Sequence, residues 1–156
     1  QGVPFIFCGE EMYRSKRGEK NTYNMPDEYN AIDWALKSQY GDLVEYCKGL
    51  ISMRKEHPAF SLGTAEAVRE HLKFIECDNE AAVGFVLDNL EGIDSAKRIV
   101  VLMNGSREGV EFDIPAGSYK WISDGEFIHA KGMGTLNCDS GKVNVAPISG
   151  VILAEY

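Results

Sequence analysis

Lys97-Arg98-Ile99-Val100-Val101-Leu102-Met103-Asn104-Gly105-Ser106-Arg107-Glu108-Gly109-Val110-Glu111-Phe112-Asp113-Ile114-Pro115-Ala116-Gly117 reads as strand, turn, strand, turn. The first run is rich in β-branched residues. Asn-Gly-Ser interrupts it, and Pro-Ala-Gly closes the run that follows. Working outward, further strand-like runs lie near 72–77, 82–88, 118–123, 134–138, 142–146 and 148–155. Turn signals separate them at Asp78-Asn79, Asn89 to Ser95, Asp124-Gly125 and Asp139-Ser140-Gly141. Consecutive short strands at this spacing predict an antiparallel β-sandwich.

Upstream the texture changes. Leu43, Val44, Tyr46, Cys47, Leu50, Ile51 and Met53 recur at three-to-four-residue spacing, which predicts a helix over 38–57 with one apolar face. Ser38 or Asp42 can cap its start, and Pro58 stops it. Thr64 suits the cap of one short helical turn over 64–70. One helix followed by strands is not an alternating βα pattern, so the β part is expected to be its own domain, with 1–58 and 59–156 as the two regions. Residues 2–7 read as a buried strand. A polar loop rich in Asn, Asp, Lys and Tyr follows to residue 37, and a stretch this long and irregular is usually functional.

The chain has 156 residues, of which 24 are acidic and 16 basic, for a formal net charge of −8. An acidic surface repels nucleic acid and anionic lipid. No run approaches the roughly 18 apolar residues that a membrane span needs. Cys8, Cys47, Cys77 and Cys138 are widely spread and show no zinc-type spacing; they read as buried reduced thiols. His57, His71 and His129 are isolated, so no metal and no cofactor is expected. The chain opens at Gln1 inside an apolar run. It reads as a cut piece, so any targeting segment is expected to lie outside it.

Gln1-Gly2-Val3-Pro4-Phe5-Ile6-Phe7-Cys8-Gly9-Glu10-Glu11 resembles the last barrel strand of the α-amylase family of glycoside hydrolases. Arg14-Ser15-Lys16, Asn21-Thr22-Tyr23-Asn24-Met25-Pro26-Asp27 and Asn30-Ala31-Ile32-Asp33-Trp34 resemble type I pullulanases in particular. The stretch 50–60 resembles that family's last barrel helix, and the strands resemble its C-terminal domain. The departures are Ser15 for Thr, Thr22 for Ser, and Arg17 for Gly. The resemblance implies a mainly β chain: an antiparallel β-sandwich preceded by the strand-loop-helix remnant of a (β/α)8 barrel.

It further implies hydrolysis of α-1,6-glucosidic bonds in pullulan, glycogen or starch, with retention. Such chemistry uses a nucleophilic carboxylate and an acid/base about 5 Å apart. The resemblance puts these acids on barrel strands before Gln1, so the piece is expected to be inactive alone, with no catalytic residue of its own. Its partner would be an α-glucan polysaccharide or maltooligosaccharide. Asn21, Tyr23, Asn24 and Asp27 are the implied substrate-facing residues, on the non-reducing side of the scissile bond. Glu11, Arg14, Lys16, Asp33 and Trp34 are the expected loop-ordering residues, with the Trp34 indole packed beneath the loop.

Simpler readings stand beside these. Neighbouring Glu10 and Glu11 point opposite ways on a strand and need not form an acid–base pair. The cations Arg14, Lys16, Arg17 and Lys20 read as solvated loop charges. Tyr119 and Trp121 alternate onto one face and read as core, although Trp121 could also serve as a sugar platform. Asn104-Gly105-Ser106 matches a glycosylation sequon but reads as a turn. Two alternative functions remain: a carbohydrate-binding or purely structural module, and the same region of an isoamylase, branching enzyme or α-amylase. An unpaired apolar run at 3–7 is also an association hazard.

Overall fold

Both faces of the run at 98–104 are covered, which is why it is apolar without alternation. The computed structural model describes residues 1–156. Its strands are β1 (Leu72–Ile75), β2 (Ala82–Leu87), β3 (Arg98–Asn104), β4 (Val110–Asp113), β5 (Gly117–Ser123), β6 (Thr135–Cys138), β7 (Lys142–Val145) and β8 (Ser149–Glu155). Six form an antiparallel sheet in the order β1-β2-β3-β8-β5-β6, and β4 pairs with β7 in a second sheet. Val100 and Leu102 of β3 point into one core with Val86, Phe112, Tyr119, Val143, Val145, Val151 and Leu153. Ile99 and Val101 point into the other, with Met53, Ala59, Leu87, Leu90, Ile122 and Ala154. β4 is covered on one face only, so Val110 and Phe112 are buried while Glu111 and Asp113 are exposed. The expected antiparallel sandwich is present, and the helical segment on the second core adds a layer to it.

The helices are α1 (Asp27–Asn30), α2 (Leu36–Gln39), α3 (Gly41–Glu56) and α4 (Ala65–His71). The Thr64 hydroxyl accepts from the Ala67 N–H at 3.2 Å, capping α4. In α3 only Val44 and Met53 are fully buried, and Leu50 and Ile51 are exposed.

Contacts divide the chain into two compact units, Gly2–Lys48 and Gly49–Tyr156, with Gln1 belonging to the second. The division falls earlier than the boundary at 58/59, because Met53 and His57 are already part of the second unit's interior. The Gln1 amide joins them there: it donates to Ala59 O at 2.7 Å and accepts from Leu62 N at 3.0 Å. Residues 2–7 are not the buried strand expected. They form no ladder in this chain, and Val3 and Phe5 are 95% and 87% exposed. An extended segment without a pairing neighbour has nothing to bury its side chains against. The four thiols are free, but only Cys138 is buried as expected: Cys47 and Cys77 are half-buried, and Cys8 is exposed because it sits at the end of that unpaired segment.

Two polar devices tie the second unit together. His57 and Asp94 have fully buried side chains, with Nδ1 of the ring 2.8 Å from Oδ1 of the carboxylate. Nε2 lies 3.0 Å from Ala130 O, and the Asp94 carboxylate also accepts from Ala59 N and Ala96 N. Arg98 bridges Asp88 at 3.0 Å and Glu155 at 2.9 Å, joining β3 to β8.

Partial burial pushes the Asp88 carboxyl up, but the Arg98 hydrogen bond and the Asn89 N–H outweigh it and hold the group below the usual carboxylate range. The fold therefore binds this proton more weakly than the unfolded chain does. The resulting stability is whole above the unfolded value of about 3.9 and is lost as the pH falls through the lower folded value. Urea midpoints measured from pH 6 down to pH 2 should fall less steeply in Asp88→Asn than in the unaltered chain. Identical slopes would show that the pair adds no linkage.

Candidate functional site

The polar loop after residue 7 is held by one arginine and one asparagine. Gly9 has φ +98°, and a Cβ there would lie 2.7 Å from Arg14 Cβ and Cδ, so only glycine fits against that side chain. The chain then turns through a 3-10 segment at Glu10–Met12, which buries Met12. Glu11 accepts from Gly9 N at 3.0 Å, and Glu10 accepts from Phe7 N at 3.1 Å. The Arg14 guanidinium donates to Cys8 O at 3.0 Å and to Asn30 O, and its Nε is buried without a partner. It also lies 5.1 Å over the Phe7 ring.

Asn30 closes the other end. Its Oδ1 accepts from Lys16 Nζ at 2.8 Å, and its Nδ2 donates to Thr22 O at 2.7 Å and Met25 O at 2.8 Å. Removal from water, and then the Arg14 charge, hold the Lys16 ammonium below the ordinary lysine value. Both bonds from Asn30 Nδ2 grip the turn 22–25, whose tip carries Tyr23 and Asn24. Sequence reasoning passed over Asn30. Its signal in the sequence is the first residue of Asn30-Ala31-Ile32-Asp33-Trp34, a stretch in which the acid and the indole are the more conspicuous side chains.

Asn21, Tyr23, Asn24 and Asp27 are all exposed, and the Tyr23 ring is 82% exposed. They lie together on the segment gripped by Asn30, with Asp27 in the first turn of α1. Asp33 accepts from Ala35 N at 3.0 Å. Trp34 departs from expectation: it is 64% exposed rather than packed beneath the loop. The fully buried apolar side chains in this unit are Met12 and Val44, too little to shelter an indole. Arg17 stands at φ +53°, the left-handed region that favours glycine, where the family pattern has one. Its pairing with Glu28 at 3.8 Å is solvent-exposed on both sides.

The amides of Asn21 and Asn24, the Asp27 carboxylate and the exposed Tyr23 ring offer planar hydrogen-bonding groups and an apolar face to solvent. The carboxylates of Glu10, Glu11 and Asp33 are each engaged with their own loop backbone. In the second unit Tyr119 is wholly buried, donating from its hydroxyl to Pro115 O at 2.6 Å, and Trp121 is half-buried against the same core. The sequon reading of Asn104 fails, because its side chain is 2% exposed and bonded to the chain.

Residues 68–126 match the family model described as the pullulanase all-beta domain. The chain is 37% identical over 115 residues to a pullulanase of Bacillus subtilis, covering 74% of this chain and 16% of that protein. A solved pullulanase from Bacillus acidopullulyticus superposes with a TM-score of 0.89 at 36% identity, covering 99% of this chain and 18% of that one. A pullulanase from Anoxybacillus sp. LM18-11, complexed with maltotetraose, superposes with a TM-score of 0.87 at 28% identity, covering 99% and 21%. The chain thus spans about a sixth to a fifth of the proteins it matches.

Proposed function

From the premise that this chain belongs to the pullulanase-type family of debranching enzymes, we propose that it supplies glucan-binding and stabilising parts to the hydrolysis of α-1,6-glucosidic bonds. The observation that carries this is the exposed group Asn21, Tyr23, Asn24 and Asp27 on a segment pinned from behind by Asn30. In this reading Tyr23 lies along a glucose ring, Asn21, Asn24 and Asp27 bond its hydroxyls, and Glu11, Arg14, Lys16 and Asp33 hold the loop in shape. The nucleophile and acid/base of the retaining reaction are not among these 156 residues. That agrees with the backbone-engaged state of Glu10, Glu11 and Asp33. In the isolated chain the uncovered run at 3–7 is a site of self-association.

Titrating the chain with maltotetraose and following tryptophan fluorescence tests the binding role, since Trp34 is exposed in the same unit. Weak saturable binding is expected, weakened about tenfold in Tyr23→Ala by loss of the ring contact. Binding that survives Tyr23→Ala but vanishes in Trp121→Ala would move the site to the sandwich and favour the carbohydrate-binding-module reading. Incubation with pullulan should release no reducing ends; release by this chain alone would overturn the assignment of the catalytic acids elsewhere.

A further inference from the structure

Asn104-Gly105 is the only Asn-Gly pair in the chain. In a flexible chain such a pair loses ammonia readily, because glycine lets the next backbone nitrogen reach the asparagine side chain. The fold blocks this at each atom involved. Asn104 Nδ2 donates to Glu108 O at 2.7 Å, Ala146 O at 3.0 Å and Val145 O at 3.1 Å. Its Oδ1 accepts from Ser106 N at 2.9 Å and from the Ser106 hydroxyl at 2.7 Å. The nucleophile, Gly105 N, is turned away and donates to Ala81 O at 2.8 Å.

We propose that Asn104 is a folding-gated deamidation site: inert in the native chain, reactive in the unfolded one, and unable to return to the fold once converted. In the reaction Gly105 N gives up its proton and forms a bond to Asn104 Cγ. The Cγ–Nδ2 bond breaks, and ammonia leaves with the proton. Water then opens the cyclic imide at either carbonyl, leaving aspartate or isoaspartate at position 104, with no change of oxidation state.

Neither product fits. A carboxylate there is an acceptor facing three carbonyls, those of Glu108, Val145 and Ala146, in a site closed to water. Isoaspartate inserts an extra carbon into the backbone of β3, where Asn104 pairs with Ala82 on one side and Ser149 on the other. The same donor bonds that hold the turn thus make its loss irreversible.

The test compares the chain incubated at mildly alkaline pH in native buffer with the chain incubated in guanidinium chloride. Tryptic mapping of the 99–107 peptide then reads amide-to-acid conversion. Conversion in denaturant should exceed that in the fold by at least about a hundredfold, the ratio set by rare local opening. After dilution, converted molecules should be absent from the refolded fraction. Gly105→Ala, whose Cβ would press on Ala81 O at 3.0 Å in the fold, is compared in denaturant only, where it should slow conversion. Equal conversion rates in the two states, or converted chains that refold alongside unconverted ones, would overturn the proposal. So would an Asn104→Asp chain as stable as the unaltered one.

Discussion

Asp94→Ala should lower the unfolding free energy of the Gly49–Tyr156 unit by about 3–5 kcal/mol, the usual result of removing one partner from a buried pair. The Asp94 carboxylate has no solvent exposure and receives His57 Nδ1, Ala59 N and Ala96 N. Its loss orphans all three donors in the interior, and water cannot reach them. His57→Ala removes the ring but leaves the carboxylate with two backbone donors, so it should cost less. The double variant should cost less than the sum, because the two side chains serve each other. Guanidinium titrations of the four chains measure this. A loss of less than about 1 kcal/mol in Asp94→Ala would mean the pair is a bystander to packing.

Phe112→Ala should cost a similar amount, about 3–5 kcal/mol for a large buried ring. Phe112 is wholly buried and packs against Gly84 of β2, where a Cβ would already lie 3.1 Å from the ring. Its sheet has only two strands, β4 and β7. Such a pair is marginal by itself and depends on the face that Phe112, Val110, Val143 and Val145 bury. Amide exchange at Val143 and Val145 should therefore accelerate before exchange in β3 does. Uniform acceleration across both sheets would instead show that the small sheet opens only with global unfolding.

The strands were legible because their punctuation is strong: Asn104-Gly105-Ser106 begins on the last residue of β3, Pro115-Ala116-Gly117 ends on the first of β5, and Asp139-Ser140-Gly141 lies between β6 and β7. The placement of β8 between β3 and β5 was not legible, since local signals mark where a strand stops but not which strand it joins. The extra layer on the second core was readable only in part. The unbroken apolar run of β3 signals two covered faces, but not that Met53 and Ala59 do the covering. In the loop, composition pointed to a binding surface. Asn30 was missed because its role is long-range hydrogen bonding by an ordinary amide, which leaves no periodic trace. The run at 2–7 misled because its apolar residues record a demand for burial that this chain does not meet.

The position of β8 also bears on how the domain is made. It is the last strand in sequence, yet it sits inside the six-stranded sheet, pairing with β3 along its whole length and with β5 through Ile152, Leu153 and Ala154. During vectorial synthesis, β1-β2-β3 and β5-β6 leave the ribosome as two separate blades, each with a bare inner edge. Neither can be closed until residues 149–155 emerge. That makes the nascent domain a late and non-local folder, with its most sticky edges exposed for longest.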